Sequence, residues 1–392
     1  MKKLVLSLSI VALFLGSCSS DNEEITTDPI PTGTISGEIT TAISYPKGNY
    51  TIQGTVKVKN GGSLTIEAGS VITAVLTDGS DALLVENGGK LFLNGTAALP
   101  IVFTEASKTP GSWGGIIMVG DAPIVGAKSV ATATTEDGNN LPYGGTNDTH
   151  NGGTLKYVRV EYAGKKLTDN TSEMNGFSFY SVGSGTVLEN LVAYKGADDG
   201  FEFYGGTVSA KNLISYGNFD DSFDWQDGWR GDANTNWYAY QVGTGNYGME
   251  IEAKSINNAF GPKVSNITLT RAAGTVTEGG SSANEFDAIQ FKKEGNGEYT
   301  NVVISGYTTS NTTLTATAVR IQDKSTNDNQ VTGGKIKMLN VKINDGTSQF
   351  AGVGTTFTVA FPTGNYTTST TATGATLTAG AWAIVDGVSL IK

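Results

Sequence analysis

The sequence predicts an all-β solenoid, a single parallel β-helix, and three observations predict it. First, the chain repeats itself. VLENLVAYKGADDGFEF (187–203) lies over SAKNLISYGNFDDSFDW (209–225) at an offset of 22, pairing Asn190 with Asn212, Tyr194 with Tyr216, Asp198-Asp199 with Asp220-Asp221, and Phe203 with Trp225. A third copy opens at Asn236, and units of this length that cannot each bury a core are stacked coils. Second, apolar residues alternate within each unit. Phe201 and Phe203 share one face with Phe223 and Trp225 of the next coil, while Glu202 and Asp224 take the other. Third, 52 glycines and abundant threonine without amphipathic helical stripes fit many short strands and tight turns.

Taken in order, the chain opens with Lys2-Lys3, an apolar run from Leu4 to Leu15, and Gly16-Ser17-Cys18. A basic start, a short apolar core and small residues make a secretory signal over 1–17, too short to span a bilayer. Leu-Gly-Ser-Cys resembles the bacterial lipobox, which makes Cys18, the single cysteine of the chain, the expected lipidation site. Residues 18–33 are polar and Pro-containing, and form a tether rather than a core. Ser19 after the cysteine favours the outer membrane, and the acidic tether resembles the export signal of surface lipoproteins in some Gram-negative bacteria. The lipid anchor is then the only membrane contact expected. The β-helix domain is assigned to 34–392.

The first coils carry a different repeat. TVKVKNGGSLTIEAGSVI (55–72) and ALLVENGGKLFLNGTAALPIVFT (82–104) match at an offset of 27, with Asn-Gly-Gly offering positive-φ corners. Together with SWGGIIMVGDAPI (112–124), GGTLKYVRVEYAG (152–164) and GADDGFEFYGG (196–206), these segments resemble a widespread family of secreted bacterial right-handed parallel β-helix lipoproteins. The resemblance covers 55–228 and implies handedness, fold and envelope location; it brings no established reaction. The Thr-rich stretches 308–317 and 367–378 depart from it. Segments 128–153, with the single histidine His150, and 165–175, with Asp169, read as excursions from the solenoid. Asn190, Asn212, Asn236, Asn266, Asn301 and Asn340 are expected to start strands, to suit an αL turn and to bond along the stack.

Two constellations are candidate sites. Aligning GTLKYVRVEYAG (153–164) with GTVLENLVAYKG (185–196) sends Tyr162, Tyr194, Tyr216 and Tyr240 inside and leaves Leu191, Leu213 and Trp237 outside, in line with Arg159. That apolar strip, joined by Trp229, either binds a sugar face or is buried under an excursion. The second constellation is acidic. Asp198, Asp199, Asp220 and Asp221 stack at one corner, and Glu202, Asp224 and Glu250 form an outward row continued by Gln290 and Arg320. Calcium suits such a row, with Lys195, Lys211 or Arg230 as alternative counter-charges. Solvated, turn-forming aspartates are the competing reading.

The net charge of -11 and pI near 4.7 argue against nucleic acid as a partner. A polysaccharide or another surface partner fits better. The expected function is non-enzymatic binding or adhesion, to glycans. The alternatives are a calcium-assisted lyase or glycoside hydrolase using these carboxylates, and a purely structural surface protein. The Gly-His-Gly motif of pectin-degrading hydrolases is missing, because Thr149 and Asn151 flank His150, which reads as a loop surface residue. Arg159 and Arg230 are the candidate lyase bases, and Trp113 reads as a core or corner aromatic.

Overall fold

Each later coil bends at one asparagine. In the computed structural model Asn190, Asn212, Asn236, Asn266, Asn301 and Asn340 all have φ between 56° and 59°, the left-handed region that asparagine tolerates. The strand does not start there but runs through, as in Val187–Tyr194, Ala210–Tyr216, Asn234–Gln241 and Lys263–Arg271. The side-chain amides bond up the stack, Asn212 to Asn190 and Asn236 to Asn212 at 3.0 Å each, and Asn301 to Asn266 at 2.6 Å. Between Asn236 and Asn266 the line is carried by Thr235, whose hydroxyl accepts from Asn266 at 3.0 Å.

These bent strands supply two faces of a single parallel β-helix, and a third face is stacked from short strands including Ile116–Val119, Phe177–Tyr180, Phe201–Tyr204, Phe223–Gln226, Met249–Ile251, Ile289–Phe291 and Thr317–Ile321. Residues 29–76, 81–126, 131–167, 173–280, 283–354 and 356–392 are described. Cys18, the leader, the tether as far as residue 28 and Asp169 lie outside them. The first strand, Thr32–Ile39, takes in the last two residues assigned to the tether.

The third face buries the aromatic ladder read from the alternation. Phe177 stacks on Phe201 at 5.0 Å and Phe201 on Phe223 at 5.7 Å, with Phe179 and Phe203 beside them at 5.1 Å. Full burial of each ring contributes roughly 1.5–3 kcal/mol. Trp113 joins this core, and its indole N–H donates to the Glu161 carbonyl at 2.8 Å.

The second apolar strip is where structure and sequence reading part. Leu191, Leu213, Trp237 and Trp229 are all inside the helix, none more than 1 % exposed. The indole N–H groups of Trp229 and Trp237 donate to the carbonyls of Val208 and Ala210 at 3.0 Å each. Two errors combine. Val158 pairs with Leu191, one residue away from the alignment that set Arg159 there, and a one-residue slip exchanges the faces. The αL asparagine is the cause: Leu188 and Leu191 both face the core with Glu189 and Asn190 between them, so the alternation is reset at the bend. Tyr194, Tyr216 and Tyr240 are therefore outside, stacked at 5.6 and 5.2 Å.

Two segments cover the outward apolar surface. The excursion before Gly153 adds the antiparallel pair Ala133–Thr134 and Pro142–Tyr143, and sets Tyr143 against Tyr180 and Tyr204, which stack at 3.9 Å. The tail after Tyr366–Thr368 runs back along the asparagine bend. Its Thr373, Ala375 and Thr376 amides donate to Asn301, Thr268 and Asn236 at 2.8, 2.9 and 3.3 Å. It then buries Tyr162, Val192, Ile214 and Tyr238 beneath Trp382, Val385 and Leu390.

Candidate functional site

The acidic residues come together. Strand register sets Glu202 beside Asp224, Asp224 beside Glu250, Glu250 beside Gln290 and Gln290 beside Arg320 on the outward side of the third face. Just before those strands, the corner turns bring Asp198-Asp199 and Asp220-Asp221 to the same edge. The result is a cleft of about 270 Å³ lined by eleven carboxylates and three lysines.

Each turn holds the next. Asp199 Oδ1 accepts from the Asp221 amide at 2.8 Å, and Asp221 Oδ1 accepts from the Tyr247 amide at 2.6 Å. Asp220 accepts from the Asn246 side chain. Glu202 accepts from Asn175 at 2.7 Å, from Gln226 at 2.9 Å and from the Tyr204 hydroxyl. These bonds are the turn-forming role expected of such aspartates, and they leave oxygens over. Asp198 Oδ2 and Asp224 Oδ1 are buried with no hydrogen-bond partner, on residues 2 % and 9 % exposed. An unpaired buried carboxylate oxygen costs several kcal/mol of lost solvation.

The electrostatics follow from crowding. Burial, then the Asp220 carboxylate, pushes Asp198 well above the usual carboxylate range, and burial, then Asp221, does the same to Asp199. Burial with Asp220 raises Asp221, and burial with Glu202 raises Asp224. Glu202 is pushed to about 8 by burial and by Glu136, and Asp220 to about 7 by burial and by Glu278. Glu252 is the exception. Burial pulls it up, but Lys292, Lys254 and Lys293 hold it below its ordinary value.

Lys292 and Lys293 approach Glu252 at 3.4 and 2.8 Å, and Lys254 lies 3.3 Å from Glu136. None of the expected counter-charges is here. Arg230 stacks on Phe260 at 3.6 Å and Lys195 lies over the Tyr194 ring, while Arg159, the other candidate base, binds Glu161 at 2.5 Å and carbonyls of the tail. Lys211 is exposed on the strand that bends at Asn212. The lysines that do serve, 254, 292 and 293, lie on loops whose return to the cleft no short-range pattern reveals.

Two groups of these carboxylates bring oxygens close enough together to share one cation. One oxygen from each of Asp198, Asp199 and Asp220 lies within 4.8 Å of the others, and the same holds for Asp199, Glu202 and Asp224. Oxygens on opposite sides of a bound calcium lie about 5 Å apart, so both groups match its span. Residues 37–385 match the family model described as a pectate-lyase-like beta helix domain. The chain belongs to that family. No curated protein and no solved structure matches it. A pectate-lyase-like β-helix domain fits a polysaccharide-related protein, and the acid cleft is a concave feature with many convergent polar groups.

His150 also differs from its reading as a surface residue. It is 5 % exposed, accepts weakly from the Gly183 amide at 3.4 Å, and burial lowers its pKa. It lies outside the cleft, against Gly120 and Gly183.

Proposed function

We propose that this protein binds an acidic polysaccharide through calcium held in the carboxylate cleft, without cleaving it, as a lipid-anchored protein of the outer membrane displayed at the cell surface. The supporting observation is the pair of oxygen clusters sharing Asp199, with Asp198 Oδ2 and Asp224 Oδ1 unpartnered beside them. A divalent cation supplies the missing partner and offsets the mutual repulsion, and its open coordination positions are suited to the carboxylates of a uronate chain. Asp198, Asp199, Asp220, Glu202 and Asp224 would hold it, with Asp221 fixing the turn. The anchor at Cys18 rests on the leader and lipobox residues alone.

The reading without catalysis rests on the bases. Lys254 and Lys292 are held protonated by the carboxylates around them, so neither is a free base for β-elimination. No arginine lines the cleft among the described residues. A hydrolase is the second reading, and Glu202 favours it: a carboxyl near 8 beside Asp224 has the protonation of a general acid.

Calorimetric titration with calcium, followed by polygalacturonate and neutral glucan with and without calcium, tests the reading. Calcium binding lost in Asp199→Asn, and polyuronate retention only with calcium and without new reducing ends or unsaturated product, is expected. Absence of calcium binding overturns the proposal, and product formation lost in Glu202→Gln transfers it to the hydrolase.

A further inference from the structure

A second groove lies on the far side of the corner turns that carry the aspartates. Tyr162, Tyr194 and Tyr216, from three successive coils, line it with Phe219, and the tail hairpin around Asp386 forms one bank. It encloses about 790 Å³, the larger of the two spaces flanking the corner.

Its chemistry is opposite to that of the acid cleft. Lys108 and Lys195 line it, Lys195 Nζ lying 5.3 Å from the centre of the Tyr194 ring, and Lys392 Nζ lies 5.9 Å from that of Tyr216. Only Lys108 of the three is in an ion pair among the described residues, with Asp386 at 2.7 Å. In a chain of net charge -11, this groove carries two lysines and one carboxylate, Asp386, on its walls, and Lys195 has no ion-pair partner among the described residues. Tyr162 meets Tyr194 edge-on at 5.7 Å, whereas Tyr194 and Tyr216 lie within 26° of parallel. No protein group among the described residues bonds the hydroxyls of Tyr162, Tyr194 and Tyr216. Burial and Tyr194 raise the pKa of Tyr162, and burial with Tyr240 and Tyr194 raises that of Tyr216, so both hydroxyls remain donors at neutral pH.

The spacing selects a ligand. Coils repeat at about 4.8 Å along the axis, close to the length of one residue of an extended 1,4-linked hexopyranose chain. We propose that this groove is a calcium-independent site for an extended acidic polysaccharide lying along the helix axis, one sugar per coil. One of its carboxylates meets Lys195, another takes the place of Asp386 on Lys108, and its hydroxyls meet the tyrosine hydroxyls at the groove wall. It shares a ligand class with the function proposed above but not a site, and a chelator separates the two.

The test is calorimetry of the whole protein in EDTA with a 1,4-linked galacturonate hexasaccharide and its methyl-esterified form. The acid form is expected to bind, the ester at least about tenfold more weakly, and Lys195→Gln and Tyr216→Phe each to weaken the acid form by about five- to tenfold. Tyr216→Phe keeps the ring and hence the stack, so a folding defect does not confuse the result. Asp199→Asn and Asp224→Asn are expected to leave binding in EDTA unchanged. No binding in EDTA, equal binding of the ester, or loss of binding in the aspartate variants overturns the proposal. So does hexaglutamate bound as tightly as the uronate, which would assign the groove to an acidic peptide.

Discussion

The outward row of the third face contains two regions built from the same template and solved differently. At Asp287 and Arg320, both at most 3 % exposed, a buried carboxylate meets a guanidinium in a fork, with Nε to Oδ2 at 3.0 Å and Nη2 to Oδ1 at 2.9 Å. Thr317 adds amide and hydroxyl donors to the same Oδ1 at 2.6 and 2.9 Å. Three coils away, Asp224 stands between Glu202 and Glu250 with one oxygen unpartnered. Both regions bury acids; one pairs both oxygens of its carboxylate within the protein, and the other leaves an oxygen of Asp224 without a partner. That difference, rather than acidity alone, marks the cleft as a site.

The largest expected effect breaks the complete region. Arg320→Met strands Asp287 without its cation, and loss of one partner of a buried pair costs about 3–5 kcal/mol. Urea unfolding followed by circular dichroism should show it with or without calcium. A loss under about 1 kcal/mol would mean that the fork contributes little and that the contrast between the regions is weaker than drawn.

The reverse sign is expected next door. Two like charges about 5 Å apart repel by roughly 3 kcal/mol at an effective dielectric near 20, and partial protonation reduces what is recovered. Asp224→Asn should therefore stabilise the calcium-free protein by about 1–2 kcal/mol at pH 8 and remove most of the stabilisation that calcium gives. Thermal melts in EDTA and in millimolar calcium measure both. Destabilisation in EDTA would show that Asp224 already has its partner.

A smaller effect sharpens the same contrast by pH. Glu202 at about 8 and Asp220 at about 7 are raised above their unfolded values, so the folded state holds protons that the unfolded chain has released. Their stabilising contribution is full below about pH 4 and is lost as pH rises through about 7 to 8. In EDTA, stability should fall between pH 5 and 8, and Glu202→Gln should flatten the fall. Calcium, by favouring the ionised forms, should reduce the slope. A slope unchanged in Glu202→Gln would remove Glu202 from the explanation.

How much of this was legible depends on the range over which the cause acts. The aromatic ladder and the order Glu202, Asp224, Glu250, Gln290, Arg320 could be read because both follow from period-two alternation within strands of fixed pairing. The asparagine amide ladder was legible for the same reason: one residue type recurs at one corner. The inversion of Leu191, Leu213 and Trp237 was not, because a single αL residue inside the strand resets the alternation and hydrophobicity does not record φ. The tail over the tyrosines was equally hidden, since Thr376 and Asn236 are separated by most of the C-terminal half. The unpaired oxygens of Asp198 and Asp224 were not legible either, because burial and hydrogen-bond partners at a corner are set by loops distant in the chain.

The effect expected to differ least between the two regions serves as the control for the comparison. The asparagine ladder passes through both regions, with Asn212 on the acid side and Asn301 next to the coils of Asp287 and Arg320. Replacing either by alanine removes one amide of the ladder and puts a residue without a local side-chain bond into an αL position. That should cost about 1–2 kcal/mol at each, the same in EDTA and in calcium. Asn212→Gly and Asn301→Gly should restore part of the loss by relieving φ while still lacking the amide. If Asn212→Ala were calcium-sensitive and Asn301→Ala were not, the acid cleft would be coupled to the frame of its own coil. The contrast would then lie in the backbone as well as in the side chains.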